Sequence, residues 1–251
     1  MRDKHIIIFG YPKSGTHWIT QLTTDLVNGS NCNNWGFDMN RPESPSGFYC
    51  HKSHHLFEEL KNASAEPIYK VIQVVRDPRD IVISGSYFFR FTFPRLAKAL
   101  LFLPFNNALY RHTEGFINKL MSTKQKRFEM IKAVLFGNES VSAWCKNSWY
   151  VQNTSYQNKK ALTIRYEDMQ SDGPNQCKSI LEFIGLNYSE EIIRKALEKN
   201  EFSNNKKKYK GSYPLFRKGS FGYWKTELTT NEQILFKSNI SKELAEYGYM
   251  K

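Results

Sequence analysis

The sequence has 251 residues, a formal net charge of +12 and four cysteines. Its length is typical of one large α/β domain with ample chain for a hydrophobic core. The positive surplus favours an anionic partner, such as nucleic acid, acidic lipid or a polyanionic small molecule. No two cysteines form a C-x-x-C pair, which argues against a zinc site or a disulfide framework and favours reduced thiols in the cytoplasm; they are Cys32, Cys50, Cys145 and Cys177.

Two features of the sequence argue against membrane targeting. The first predicted strand begins within about five residues of Met1, which we take to leave no room for a signal peptide. The most apolar run, residues 96–105, contains Lys98 and Pro104, and it is shorter than the roughly 20 residues that a spanning helix needs. We therefore expect no transmembrane segment.

The first structural signal is a strand, a glycine-containing loop and a helix in succession. The apolar residues Ile6–Phe9 predict a buried strand, and the loop Gly10-Tyr11-Pro12-Lys13-Ser14-Gly15 follows it. Apolar residues at helical spacing then predict a helix that stops at Asn28-Gly29. This layout directs backbone N–H groups and the positive end of a helix at a phosphate or another anion.

The loop differs from the nucleoside-triphosphate motif G-x-x-x-x-G-K-[ST] at two positions. Gly10 and Gly15 have the required spacing, but Thr16 and His17 stand where that motif has lysine and a hydroxyl residue. A lysine lies earlier instead, at Lys13. The sequence therefore predicts an anion site without the triphosphate and magnesium pair, and an ATP-dependent P-loop kinase remains an alternative function.

Further strands and helices alternate along the chain. Asp77 and Pro78 are typical of a helix start directly after a predicted strand. Alternation of this kind predicts a mainly parallel sheet, with ligands at the carboxyl ends of its strands. The predicted strands are 48–52, 68–75 and 161–166, and the predicted helices are 56–62, 78–88, 141–157, 174–184, 189–200 and 230–246, the last with a capping box at Thr230-Asn231-Glu232-Gln233. Residues 90–143 contain further helical segments, at 96–103, 113–121 and 126–135, and predict an insertion near the substrate.

Four segments match in order the motifs of a known family, the 3′-phosphoadenosine-5′-phosphosulfate (PAPS)-dependent sulfotransferases of the cytosolic type. The loop with Thr16-His17-Trp18 resembles the family's Tyr-Pro-Lys-Ser-Gly-Thr-Thr-Trp, with His17 replacing the second threonine. The stretch from Arg76 to Ser84 resembles its 3′-phosphate motif, and Tyr166-Glu167-Asp168 resembles its Tyr-Glu-Asp. The segment from Arg217 to Lys225 resembles its closing motif, and the likeness spans residues 5 to about 230.

The resemblance implies a single sulfotransferase domain, residues 1–251, with a P-loop-like three-layer fold whose central, mainly parallel sheet is flanked by helices. It also implies PAPS as the sulfuryl donor, adenosine 3′,5′-bisphosphate (PAP) as the product and no metal. In the family a Thr-Ser-Phe stretch touches the nucleotide, and Phe202 is the part of it carried over here. The implied nucleotide-binding residues are Lys13, Ser14, Gly15, Thr16, His17, Trp18, Arg76, Ser84, Tyr166, Phe202, Arg217, Lys218 and Gly219.

The implied catalytic residues are His54, Lys52 and Lys13. Lys52-Ser53-His54 resembles the family's Lys-Thr-His, whose histidine is the general base for the attacking hydroxyl. Lys13 would stabilise the charge on the leaving oxygen, and Lys52 the oxygens of the transferring group. His55 is an alternative base if the strand ends one residue later, and the histidines at 51–55 make a metal site conceivable although further ligands at suitable spacing are absent.

The implied acceptor is a small molecule with a hydroxyl or amine group, with lipophilic molecules and secondary metabolites among the options. Nucleic-acid binding through the lysines at 206–210 is the other alternative, and no aromatic-rich RNA motif accompanies them, so we expect no nucleic-acid partner. The oligomeric state stays open. The family's dimer motif Lys-x-x-x-Thr-Val-x-x-x-Glu is matched at Lys225 and Thr229, but Thr230 replaces valine and Ile234 replaces glutamate.

Overall fold

The computed structural model of the chain describes residues 3–32, 34–35, 42–89, 91, 120–157, 160–201, 203–204 and 219–250. The chain divides into two units, which we describe separately. The sheet unit is Met1–Arg76 with Val151–Phe221, and the helical unit is Asp77–Tyr150 with Gly222–Lys251.

The sheet unit contains five parallel strands in the order β2-β3-β1-β4-β5. The strands are β1 (Lys4–Phe9), β2 (Ser30–Asn31), β3 (Phe48–Ser53), β4 (Ile68–Val75) and β5 (Ala161–Arg165). The helices of the chain are α1 (Thr16–Leu26), α2 (Phe57–Asn62), α3 (Pro78–Phe88), α4 (Thr123–Phe136), α5 (Trp149–Thr154), α6 (Tyr166–Ser171), α7 (Gly173–Ile184), α8 (Glu190–Lys199), α9 (Trp224–Glu227) and α10 (Thr230–Glu246), with a 3₁₀ helix at Ala143–Cys145.

The central strand β1 is buried on both faces of the sheet. Ile6 and Ile8 pack with residues of α1, α6, α7 and α8, whereas Ile7 and Phe9 pack on the other face with Leu60 of α2. Alternate side chains of a strand point to opposite faces, so an unbroken apolar run suits a strand covered on both sides. The predicted three-layer arrangement with a parallel sheet between helices is confirmed.

The parallel strands bring their carboxyl ends to one edge of the sheet. Phe9 of β1 is in register with Ser53 of β3 and with Gln73 of β4, and Val75 of β4 is in register with Arg165 of β5. The segments that follow these four strands therefore leave the sheet side by side, as expected for the ligand-binding edge of an α/β sheet.

The helical unit is held together by α3 and the segments around it. Asp77 caps α3, because its Oδ1 accepts from the Arg79 N–H at 2.9 Å, and Pro78 occupies the first turn as predicted. Asp80 accepts from the backbone N–H groups of Gly222, at 2.6 Å, and Trp224, at 3.1 Å. The buried Asp80 thus fixes the start of α9, with α3 packed on α4.

Several sequence expectations are confirmed and others are wrong. The helix predicted at 126–135 is present as α4, and α7 ends at Gly185, a left-handed glycine cap. The single helix predicted at 141–157 is wrong: the backbone turns at the 3₁₀ helix, where Asn138 N–H donates to the Cys145 carbonyl at 2.7 Å. Strand β2 and helix α6 were not predicted. The segments 96–103 and 113–119 lie outside the described residues.

The cap of α10 lies one residue before the predicted one. Thr229 is the N-cap; its Oγ1 accepts from the Glu232 N–H at 3.3 Å, and Glu232 Oε2 accepts from the Thr229 N–H at 2.8 Å. Both threonines have capping-box spacing, Thr229 to Glu232 and Thr230 to Gln233, and the reciprocal contacts are made by Thr229 with Glu232. Among the described helices, none combines the length and apolar character needed to cross a bilayer.

We predict that Thr229→Ala lowers the free energy of unfolding by about 0.5–2 kcal/mol, because a cap side chain and its reciprocal bond are lost. Thr230→Ala, one residue into the helix, is the matched control and should have a smaller effect, since alanine is the better helix former. Urea unfolding of both variants measures the difference. An equal loss in the two variants would contradict this cap assignment.

Candidate active site

The loop between β1 and α1 has an unusual backbone. Lys13 has φ of 73° and Gly15 has φ of 98°, both in the left-handed region that non-glycine residues rarely adopt. A Cβ at Gly15 would lie 2.6 Å from the Tyr166 ring, so this position needs glycine for two reasons. Strained loop conformations of this kind are common at binding sites because they direct backbone N–H groups towards a ligand.

The start of α1 is suited to an anion. Within the described residues no side chain caps this helix, and its first turn holds no acidic residue. The Oγ of Ser14 is fully buried and has no hydrogen-bond partner among the described residues. A buried hydroxyl without a partner is costly, and an anion seated on the helix N-terminus would satisfy it together with the backbone donors.

Arg76 joins the segments that follow β1, β4 and β5. Its Nη1 donates to the Lys13 carbonyl at 3.1 Å, and its Nη2 donates to the Ser220 carbonyl at 3.2 Å. Its guanidinium lies 4.2 Å from the centre of the Tyr166 ring. Two of the predicted nucleotide-binding segments, the first loop and the closing motif next to Gly219, are therefore brought to the same arginine.

Lys13, Lys52 and Arg76 form a cluster of positive charge. The pKa of Lys13 is lowered from 10.5 to about 7. Burial is the largest cause, and the like charges of Arg76 and Lys52 contribute the rest. Burial also lowers the pKa of Lys52. Proximity of three cationic side chains is unfavourable by itself and becomes favourable when an anion is bound between them.

His54 follows β3 directly and is held in one tautomer. Its Nδ1 lies 2.6 Å from the Gly10 carbonyl oxygen. A carbonyl oxygen only accepts, so Nδ1 carries the proton and Nε2 of the neutral ring is left as the basic nitrogen. Burial lowers the pKa of His54 to about 4, against a smaller raising effect of the Gly10 hydrogen bond. The imidazole is therefore neutral near pH 7.

His55, the alternative base, is placed differently. Its Nδ1 lies 3.9 Å from Glu59 Oε2 of α2, and its backbone carbonyl accepts from the Tyr156 hydroxyl at 3.1 Å. Its imidazole therefore faces the Glu59 carboxylate of α2, whereas that of His54 contacts the Gly10 carbonyl of the first loop. Among the described residues, no group of three or more histidine, cysteine, aspartate or glutamate side chains is arranged to hold a metal ion.

A cavity of about 580 Å³ lies beside Trp18, between α1 and helices α6 to α8. Trp18, Ile193 and Leu197 contribute apolar walls, and Asn200 lines it near the end of α8. The Trp18 indole N–H donates to the Asn200 carbonyl at 3.0 Å, while the Asn200 amide donates to Asp25 Oδ2 at 2.7 Å. The indole is thereby fixed at the wall of a space that is large enough for a flat heterocycle.

The remaining predicted residues are distributed as follows. Ser84 lies in α3 of the helical unit and is partly exposed. Thr16 and His17 lie in the first turn of α1, and Gly219 has φ of 68°. Phe202, Arg217, Lys218 and the lysines at 206–210 lie outside the described residues.

Two residues that support the site were missed by the sequence reasoning. Asn200 fixes Trp18, and Gln152 of α5 donates to the backbone carbonyl of His54 at 2.6 Å. Both work through main-chain carbonyls, which leave no trace in a side-chain motif. All four cysteines are present as free thiols.

Comparison with known proteins gives a consistent set of similarities. The sulfotransferase domain family model matches residues 3–248. Rat sulfotransferase 2A1 is 25% identical and covers 98% of this chain and 87% of its own length. Rabbit amine sulfotransferase is also 25% identical, over 98% of this chain and 83% of the rabbit protein.

Solved structures share the fold. Mouse sulfotransferase SULT7A1 complexed with PAP matches with a TM-score of 0.66 and 20% identity over 99% of this chain and 90% of that one. Retinol dehydratase in complex with androsterone and the inactive cofactor PAP matches with a TM-score of 0.62 and 16% identity. This match covers 97% of this chain and 81% of the retinol dehydratase chain.

We predict that Lys13→Met stabilises the free protein at pH 7 and that its advantage shrinks towards pH 10. The pKa of Lys13 is lowered on folding, so between about pH 7 and 10.5 the unfolded chain binds more protons and the stability of the wild type rises with pH. Urea unfolding at several pH values measures this. Lys160→Met, at an exposed lysine, is the control, and a pH-independent advantage of Lys13→Met would contradict the prediction.

Proposed function

Because the chain belongs to the sulfotransferase family and is a PAPS-dependent sulfotransferase, we propose that it transfers the sulfuryl group of PAPS to a hydroxyl or amine of a small molecule, with His54 as general base. The observation that carries this proposal is the convergence of Lys13, Lys52 and Arg76 on the carboxyl edge of the sheet, beside a neutral imidazole. The cluster supplies binding for an anionic donor, and the imidazole supplies a proton acceptor.

The residues of the first loop fit a phosphosulfate group. The buried Ser14 hydroxyl lacks a partner in the described structure, and the left-handed backbone at Lys13 and Gly15 is of the kind that directs N–H groups towards an anion. When bound, PAPS supplies a sulfuryl group whose sulfur forms a bond to the acceptor oxygen or nitrogen as the bond to the 5′-phosphate oxygen breaks. Lys13 and the α1 N-terminus stabilise the negative charge that develops on that leaving oxygen.

The rest of the donor is assigned to two regions. Arg76, with Gly219 and the adjoining Arg217 and Lys218, binds the 3′-phosphate, because a guanidinium offers a planar fork of donors to phosphate oxygens. Ser84 is assigned to the same phosphate by the family motif. Trp18 contacts the adenine, which enters the cavity beside it, and Tyr166 and Phe202 complete this nucleotide contact.

His54 removes the proton of the acceptor. Its Nδ1 donates to the Gly10 carbonyl, so Nε2 receives the proton and the ring becomes an imidazolium during the transfer. Lys52 lies two residues before His54 and stabilises the oxygens of the sulfuryl group. No step requires a metal ion, because positioning and charge stabilisation act on a donor that is already activated.

The acceptor is proposed to be a small, in part apolar molecule, and the protein is proposed to act in the cytoplasm. One relative named for amines and a structural neighbour bound to androsterone support a small acceptor. Free thiols at all four cysteines are consistent with a reducing compartment. A radiolabelled PAPS assay over cell extracts, with mass spectrometry of the sulfated product, identifies the acceptor and separates O- from N-sulfation.

We predict that PAP binds more tightly than ATP with Mg²⁺ and that PAP binding at pH 8 takes up a proton. Lys13, with a pKa of about 7, is mostly neutral at that pH in the free protein, and an anionic ligand returns it to the charged form. Calorimetry in two buffers of different ionisation enthalpy measures both quantities. Lys13→Met should abolish the uptake. Tighter binding of ATP would overturn the proposed function in favour of a kinase.

We predict that His54→Ala lowers kcat by about 10²–10⁴-fold, the usual range for a lost general base. The affinity for PAP should change less than about twofold. Because the pKa of His54 is about 4, kcat/KM for the acceptor should stay flat from pH 7 to about 5.5 in the wild type, whereas an unperturbed histidine would give an inflection near 6.5. This ratio is measured at saturating PAPS, so that the titration of Lys13 in the free protein does not contribute.

His55→Ala is the matched control for this experiment and should retain most of the activity. Full activity of His54→Ala together with loss in His55→Ala would transfer the role to His55. An inflection of kcat/KM near pH 6.5 would contradict the neutral, buried state of the His54 ring.

A further inference from the structure

Gln152 of α5 contacts the segment that carries His54. It is 1% exposed, and its Nε2 donates to the His54 backbone carbonyl at 2.6 Å. The imidazole of the same residue donates from Nδ1 to the Gly10 carbonyl. His54 is therefore held at two points, its ring by the first loop and its peptide by Gln152.

The residues around Gln152 are themselves anchored to the sheet. The Asn153 carbonyl accepts from Gln73 Nε2 at 2.9 Å, and Gln73 Oε1 accepts from the Thr163 hydroxyl of β5 at 3.1 Å. The Tyr156 ring stacks on Phe9 with centroids 3.7 Å apart. Since α5 is tied to β1, β4 and β5, Gln152 presents its donor from a fixed support.

The Oε1 atom of Gln152 indicates that this side chain does more than fill space in the core. Its Oε1 is buried and has no hydrogen-bond partner among the described residues. An apolar side chain of similar size would avoid this unpaired oxygen, which is a cost to the folded state. The side-chain amide of Gln152 therefore costs folding free energy at Oε1. The hydrogen bond that its Nε2 donates to the His54 carbonyl is the described contact that requires an amide here.

We propose that Gln152 is a positioning residue for the transfer reaction, which holds the His54 peptide so that the Nδ1-protonated imidazole keeps one orientation. The proposal rests on the role of His54 as general base. Misplacement of a reacting group by about 1 Å costs on the order of a hundredfold in rate, so a hydrogen bond that fixes the backbone of the base acts on kcat. Among the described residues, Gln152 makes no hydrogen bond to the nucleotide-binding segments.

The test uses Gln152→Met, which keeps the length of the side chain and removes its donor, in the wild-type and His54→Ala backgrounds. With His54 present, kcat should fall about 10–100-fold, with PAP affinity within about twofold of the wild type. With His54 absent, the same substitution should change the residual rate less than about twofold, because Gln152 acts through His54. Equal losses in both backgrounds would overturn the proposal.

Two further variants test whether the loss of the Gln152 donor, and not a general disturbance of the helix, lowers kcat. Gln152→Glu replaces the donating NH₂ group by an accepting oxygen in nearly the same shape and should lose kcat similarly, even if the methionine variant folds poorly. Thr154→Val removes a hydroxyl in the same helix that donates to the Val151 carbonyl and should keep wild-type kcat. Urea unfolding shows whether each variant is folded. Wild-type kcat in folded Gln152→Met or Gln152→Glu would overturn the proposal.

A measurement that does not depend on enzyme activity can test the positioning role of Gln152 separately from the proposed function. A ¹H–¹⁵N spectrum of the histidine side chains, with His54 assigned by its loss in His54→Ala, should show the Nδ1-protonated form in the wild type and a mixed or shifted signal in Gln152→Met. An unchanged His54 signal would overturn the positioning role. If His54→Ala keeps full activity, the base assignment fails, while the spectrum still reports whether Gln152 holds this ring.

Discussion

Repulsion among three cations at one edge of the sheet is the constraint on which the candidate site depends. Lys13, Lys52 and Arg76 follow or end separate parallel strands, and the parallel register places them together. Burial makes their charge more costly, and Lys13 responds with a lowered pKa. The free protein bears this electrostatic cost, and the binding of an anion between the three side chains removes it. The arrangement therefore links the stability of the fold to anion binding.

The side chains of the site are oriented largely by backbone carbonyls. Arg76 donates to the carbonyls of Lys13 and Ser220, the His54 ring donates to Gly10, and the Trp18 indole donates to Asn200. A carbonyl only accepts, so each contact fixes the position of the donor group, and at His54 it also fixes which ring nitrogen carries the proton.

The sequence allowed prediction of those parts of the site that rest on local spacing. The loop with Gly10 and Gly15, the cap at Asp77 and the parallel sheet follow from glycine placement, cap chemistry and strand–helix alternation, and the structure confirms them. The contact of Gln152 with the His54 carbonyl could not be predicted, because it joins a helix side chain to a distant main-chain group and leaves no local pattern in the sequence. The cap of α10 was misplaced by one residue because two threonines adjoin and only the actual contacts with Glu232 distinguish them.

The lowered pKa of Lys13 has a consequence for chemical reactivity. An amine with a pKa of about 7 is half unprotonated at neutral pH, and an unprotonated amine is a nucleophile, whereas ordinary surface lysines are almost wholly protonated there. The resting protein therefore carries a lysine that electrophiles such as aldehydes and active esters should modify selectively. A bound anion would restore the proton and lower this reactivity, so the Lys13 amine is protected from covalent modification whenever an anion occupies the site.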